Sequence, residues 1–124
     1  MYSPVRFFTN EMLKNVSNTV KEVSSFIYPP VTMYQDGEDL VLEAELAGFD
    51  KKDIRVTVDK NVLTIRAERK REYKSVYLDQ RVDKVFKVVR LPVDVEQSSI
   101  SAKYQDGLLT VRMKAKDIKT VEIE

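Results

Sequence analysis

The chain contains neither cysteine nor histidine. No thiol means no disulfide and no cysteine nucleophile, and no imidazole means no histidine-based triad, no imidazole acid–base catalysis and few ways to bind zinc. Only serine, threonine and tyrosine hydroxyls remain as uncharged nucleophiles. The three glycines, at 37, 48 and 107, lie too far apart for a phosphate-cradling loop or a dinucleotide fingerprint. No apolar run approaches the roughly 18 residues that a membrane span needs. The opening residues have no unbroken apolar stretch and carry Glu11, so they do not resemble a secretory leader. Charge of one sign is missing too: 21 Lys and Arg stand against 20 Asp and Glu, so there is no general attraction to nucleic acid or anionic lipid. These absences predict a soluble cytoplasmic protein with no cofactor, no catalytic site and no metal.

What is present divides at Pro29-Pro30. Before it, Val5, Phe8, Met12, Val16, Val20, Val23 and Ile27 recur at spacings of three and four, opposite polar Asn10, Glu11, Lys14, Asn15, Ser17, Asn18, Lys21 and Glu22. This pattern predicts an amphipathic helix over about 5–25, with Pro4 suited to its first turn. No second helix is available to share its apolar stripe. The stripe must therefore lie on the sheet, on another copy or on another protein.

After the prolines the period is two. Val31 and Met33 start a short strand, and Asp36-Gly37 turns the chain. Leu40, Leu42, Ala44 and Leu46 then alternate with Val41, Glu43 and Glu45. Residues 47–52 form a connection around Gly48. Ile54, Val56 and Val58, a turn at Lys60-Asn61, and Leu63, Ile65 and Ala67 predict a hairpin. The segment 69–82 is highly charged but holds a β-prone patch, Val76-Tyr77-Leu78, counted here as a strand. Val85 to Leu91 is apolar at both parities, as expected of a strand covered on both faces, and Pro92 ends it. In the last hairpin Ile100, Ala102 and Tyr104 face Leu109, Val111 and Met113 across Asp106-Gly107, which suits a type I′ turn. About eight strands at this spacing predict an all-β, antiparallel, immunoglobulin-like sandwich over 29–114. The helical arm of residues 1–28 precedes it, and an extended tail, 115–124, follows.

Ala102-Lys103-Tyr104-Gln105-Asp106-Gly107-Leu108-Leu109 resembles the "A-x-x-x-n-G-v-L" signature of the α-crystallin domain of small heat-shock proteins, microbial type. Leu46 to Ile54 is similar to the family's "l-p-G-v-x-k-e-d-i" segment, and Asn61-Val62-Leu63-Thr64-Ile65 to "n-g-v-L-t-I". Arg90-Leu91-Pro92 matches the end of "F-x-R-x-F-x-L-P", and Val121-Glu122-Ile123 resembles the tail's "I-x-I/V". Their order along the chain is the specific part. Lys87 stands where the family often has arginine, which keeps the charge and loses the planar fork.

The resemblance implies an ATP-independent holdase that binds partly unfolded proteins as a large homo-oligomer of dimers. Phe7, Phe8, Met12, Leu13, Val16, Val20 and Val23 would meet clients. The strand Val76, Tyr77 and Leu78 would be exchanged between two copies. Val121 and Ile123 would anchor the tail in another dimer's groove, lined by Val56, Val58, Ile100 and Ala102. A monomeric co-chaperone with a related sandwich is the alternative, and would need neither the tail motif nor the loop strand. A nucleic-acid module would lean on Arg66, Arg69, Lys70, Arg71 and Lys74, but Glu68 and Glu72 dilute that run and no set of stacking aromatics accompanies it.

Overall fold

A computed structural model of the chain describes residues 27–116 and Ile123. Among these residues seven strands follow one another: β1 (Val31–Asp36), β2 (Asp39–Glu45), β3 (Ile54–Asp59), β4 (Val62–Glu68), β5 (Lys84–Arg90), β6 (Ser101–Gln105) and β7 (Leu108–Lys114). They form two antiparallel sheets. One has the order β1-β2-β7-β6, the other β3-β4-β5. The predicted arm residues before Ile27 lie outside the described residues, and no helix among those described is long and apolar enough to cross a membrane.

Alternation builds the core between the sheets. Leu40, Leu42 and Ala44 of β2 pair across to Met113, Val111 and Leu109 of β7, so all six share the inner face. From the other sheet come Leu63, Ile65 and Ala67 of β4. Leu42, Leu63, Ile65 and Val111 have no exposed surface, and each contributes roughly 1.5–3 kcal/mol by burial. On the outer face only Val41 is fully buried, in register with Tyr34 and with Arg112, which bridges Asp36 and Asp39 at 2.8 and 3.0 Å.

The hairpins follow from backbone that few residues adopt. Asp106 and Gly107 have φ of 53° and 80°, positive at both central positions as the type I′ turn requires. The first turn is displaced from its expected place. Asp36 pairs with Asp39, so Gly37-Glu38 are the central residues, and Gly37, at φ 61°, takes the position that needs positive φ.

Two further expectations are corrected. Val85 to Leu91 is covered on one face only: Phe86 and Val88 remain 56% and 52% exposed. β5 is an edge strand, and among the described residues no layer packs on the outer face of its sheet. The eighth strand, at Val76-Tyr77-Leu78, is not formed. It sits in a loop between β4 and β5 and pairs with none of the edge strands of its own chain among the described residues.

Candidate interaction surfaces

Among the described residues this topology leaves four edges bare: β1 and β6 in one sheet, β3 and β5 in the other. Two sets of contacts relate them across the sandwich. Lys87 of β5 donates from Nζ to the carbonyl oxygen of Ile27, in the segment leading to β1, at 3.4 Å, which defines a β1–β5 flank. The Tyr104 hydroxyl of β6 bonds to the Leu46 and Phe49 carbonyls in the connection leading to β3, which defines a β3–β6 flank.

Of the four expected groove residues, two lie on β3 and two lie at or just before the start of β6. Val56 and Val58 are half-buried on the inner face of β3, and Ile100, half-buried, precedes β6; all three pack against the core. Ala102 is exposed on β6. Both strands have unpaired outer backbone among the described residues, so the flank offers an apolar floor between two rows of free hydrogen-bonding groups. Of the tail anchors, Ile123 is 97% exposed, while Val121 lies outside the described residues. So do Phe7, Phe8, Met12, Leu13, Val16, Val20 and Val23.

On the β1–β5 flank, β1 is exposed along its length after Val31, with Met33 and Tyr34 at 37% and 40%. The loop 69–83 carries Val76, Tyr77 and Leu78 at its tip, exposed by 43%, 77% and 54%. An apolar triplet this open in a charged chain is unusual for a surface with no partner.

The root of that loop was not foreseen as a unit. Arg69 and Arg71 project from the end of β4, and neither is free to bind elsewhere. Arg69 stacks on the Phe49 ring with its guanidinium carbon 4.5 Å from the centroid, donates from Nη2 to the Val82 carbonyl at 2.7 Å, and reaches Asp83 Oδ1 through Nε at 3.2 Å. Arg71 donates from Nε to the same Oδ1 at 2.6 Å, and from Nη2 to both oxygens of Asp79 at 2.9 Å. Its guanidinium is pushed above the ordinary arginine range, first by its bond to Asp83. Arg81 donates to the Tyr73 hydroxyl at 2.8 Å, and Arg71 holds that phenol below the ordinary tyrosine range. Of the basic run read as a nucleic-acid candidate, Arg69 and Arg71 are thus turned inward on Asp79 and Asp83, while Arg66, Lys70 and Lys74 are exposed. The sequence pattern, two arginines two apart and two aspartates later in the loop, does not by itself say that they pair.

Gly48 makes room for this arrangement. Its φ is 88°, and a Cβ there would lie 2.5 Å from Arg69 Nη1. The neighbouring connection is fixed by Tyr104, whose hydroxyl lies 2.7 Å from the Leu46 carbonyl and 2.8 Å from that of Phe49.

Comparison with known proteins gives this geometry a setting. The sequence profile described as the Hsp20/alpha crystallin family matches residues 32–124. Small heat shock protein C1 of Rickettsia conorii is 32% identical over 116 residues, covering 93% of this chain and 64% of that protein. The 17.4 kDa class III heat shock protein of Arabidopsis thaliana is 31% identical over 96 residues, covering 68% of this chain and 62% of its own length. The chain thus spans a little under two thirds of these relatives. Among solved structures, a mutant of hsp14.1 from Sulfolobus solfataricus is 36% identical with a TM-score of 0.77, covering 92% of this chain and 95% of that one. A small heat-shock protein from Xylella fastidiosa, described as having a distinct high order structure, is 26% identical with a TM-score of 0.62, covering 77% and 93%.

Proposed function

The chain belongs to the Hsp20/alpha crystallin family, and from that membership we propose that it is an ATP-independent holdase of the cytoplasm, working as a homo-oligomer of dimers that shelters partly unfolded proteins. The observation that carries the reading is the exposed triplet Val76-Tyr77-Leu78, held out on a braced loop, together with a β1 edge that is bare among the described residues. A β-prone triplet and an unpaired edge complement each other, and one chain's loop laid along another chain's β1 would hide both. Burying three such side chains contributes roughly 1.5–3 kcal/mol each before the cost of association.

The opposite flank supports the second level of assembly. Val121 and Ile123 fit the spacing of an extended segment with two side chains on one face, and the β3–β6 cleft offers an apolar floor at Val56, Val58 and Ile100. A single docked tail is weak, and many together hold through effective concentration. Clients would meet the stripe of Phe7, Phe8, Met12, Leu13, Val16, Val20 and Val23, where Met12 adds the most adaptable side chain.

Light scattering on the purified full chain, with and without a client protein heated to its aggregation temperature, tests the whole scheme. The expected result is a particle much heavier than a dimer that suppresses client scattering without nucleotide. Val121→Ser with Ile123→Ser should leave folded dimers and no large particle. A monomer by mass would favour the co-chaperone alternative, and an unprotected client would end the holdase reading.

A further inference from the structure

We propose that Arg71 is the positioning residue of the strand-exchange interface: it fixes the shape of the 69–83 loop before any partner arrives, so that Val76, Tyr77 and Leu78 dock ready-made. The inference rests on the strand-exchange reading above and goes beyond it by naming what sets the interface's strength from outside the contact itself.

The geometry is that of a cross-brace. Arg71 stands on the ascending side of the loop and grips two points on the descending side, Asp83 through Nε at 2.6 Å and Asp79 through Nη2 at 2.9 Å. Its Nη2 also lies 3.2 Å from the carbonyl of Arg81. Asp79 in turn accepts from the Arg81 backbone N–H at 3.1 Å, fixing the turn just after the tip. Only a planar fork can serve these directions at once; an ammonium is a single point charge. The brace is itself anchored. Arg69 shares Asp83 with Arg71 and stacks on Phe49, which is 4% exposed in the core, and the backbone N–H of Arg69 donates to the Asp83 carbonyl at 2.9 Å. Rigidity therefore runs from the core through Phe49, Arg69 and Asp83 to Arg71.

The burial contrast gives the brace its meaning. The Arg71 and Arg69 side chains are only 13% and 12% exposed, whereas Tyr77, six residues on, is 77% exposed. A loop stabilised for its own sake would turn its apolar residues in. Here the charged residues are packed at the root and the apolar ones are presented at the tip. A disordered loop would have to pay its ordering entropy at the moment of docking, and a pre-shaped one avoids that cost.

The test compares four variants of the full chain, Arg71→Ala, Arg71→Lys, Lys70→Ala and Tyr77→Asp, by dimer dissociation on dilution and by hydrogen exchange. Tyr77→Asp should break the dimer directly; if it does not, the strand-exchange reading fails, and this proposal with it. With that dependence met, Arg71→Ala should raise the dimer dissociation constant about tenfold or more, Arg71→Lys should recover little of the loss, and Lys70→Ala should change nothing. In the Tyr77→Asp background, Arg71→Ala should speed exchange across 72–81 while β2, β4 and β7 stay protected, which a general loss of stability would not produce. A dissociation constant within twofold of the parent for Arg71→Ala, full rescue by Lys, an equal effect of Lys70→Ala, or unchanged exchange across the loop would each overturn the proposal and leave strand exchange standing.

Discussion

Two connections in this molecule treat their apolar residues in opposite ways. The segment 91–100, between β5 and β6, turns them in: Leu91 and Val95 are 2% and 1% exposed, and Ile100 packs on the core. It is stitched to the end of β7 by backbone bonds from Glu96 to Lys114 and from Lys116 to Asp94, both at 2.9 Å. Ser99 adds a hydroxyl that donates to the Glu96 carbonyl at 2.6 Å and accepts from the Lys114 N–H at 2.9 Å. The segment 69–83 does the reverse, with ionic groups at the root and Val76, Tyr77 and Leu78 outermost. The difference separates a connection that belongs to the fold from one that the proposed assembly assigns to an interface.

That contrast can be broken from the inward side first. Leu91→Ala should cost about 2–5 kcal/mol of folding stability, because a fully packed side chain leaves a cavity, and denaturant unfolding would register it as a lower midpoint. Gly48→Ala should cost about 1–2 kcal/mol, from the left-handed backbone alone. Its added methyl would also push Arg69 off Phe49, so exchange across 69–83 should rise while the 91–100 amides stay as they were. Ser99→Ala should cost about 0.5–1.5 kcal/mol, since it removes two hydrogen bonds at a half-buried position, read by the same unfolding titration. On the outward side, Tyr77→Ser should change the stability of the isolated fold by less than about 0.5 kcal/mol while lowering the particle mass seen by light scattering. A large loss of fold stability from Tyr77→Ser would erase the distinction between the two connections.

Much of the sandwich was legible because strand alternation and turn chemistry are local. Asp106-Gly107 specified its own turn, and Leu63, Ile65 and Ala67 declared an inner face by parity alone. The hairpin at Lys60-Asn61 was found as well, although Lys60 holds φ at 56°, where a lysine is uncommon. The misses have a common cause. Val85 to Leu91 reads the same whether Phe86 and Val88 meet a second layer or solvent, since parity does not reveal which faces a fold covers. Val76-Tyr77-Leu78 has strand propensity, but a strand needs an edge, and the edge is a matter of topology. The brace of Arg69, Arg71, Asp79 and Asp83 was hidden for another reason: charge patterns along a chain do not say which groups close a loop on themselves. The expected groove residues Val56, Val58, Ile100 and Ala102 come from distant stretches, and that expectation rests on the family likeness and not on their spacing.

The placement of the two bare flanks has a consequence for growth. With β1 and β5 on one side and β3 and β6 on the other, the proposed assembly gives each copy a valence of two, like a link with a hook at either end. Such links can run on into an open filament or return upon themselves as a closed cage, and the rotation between successive links decides which.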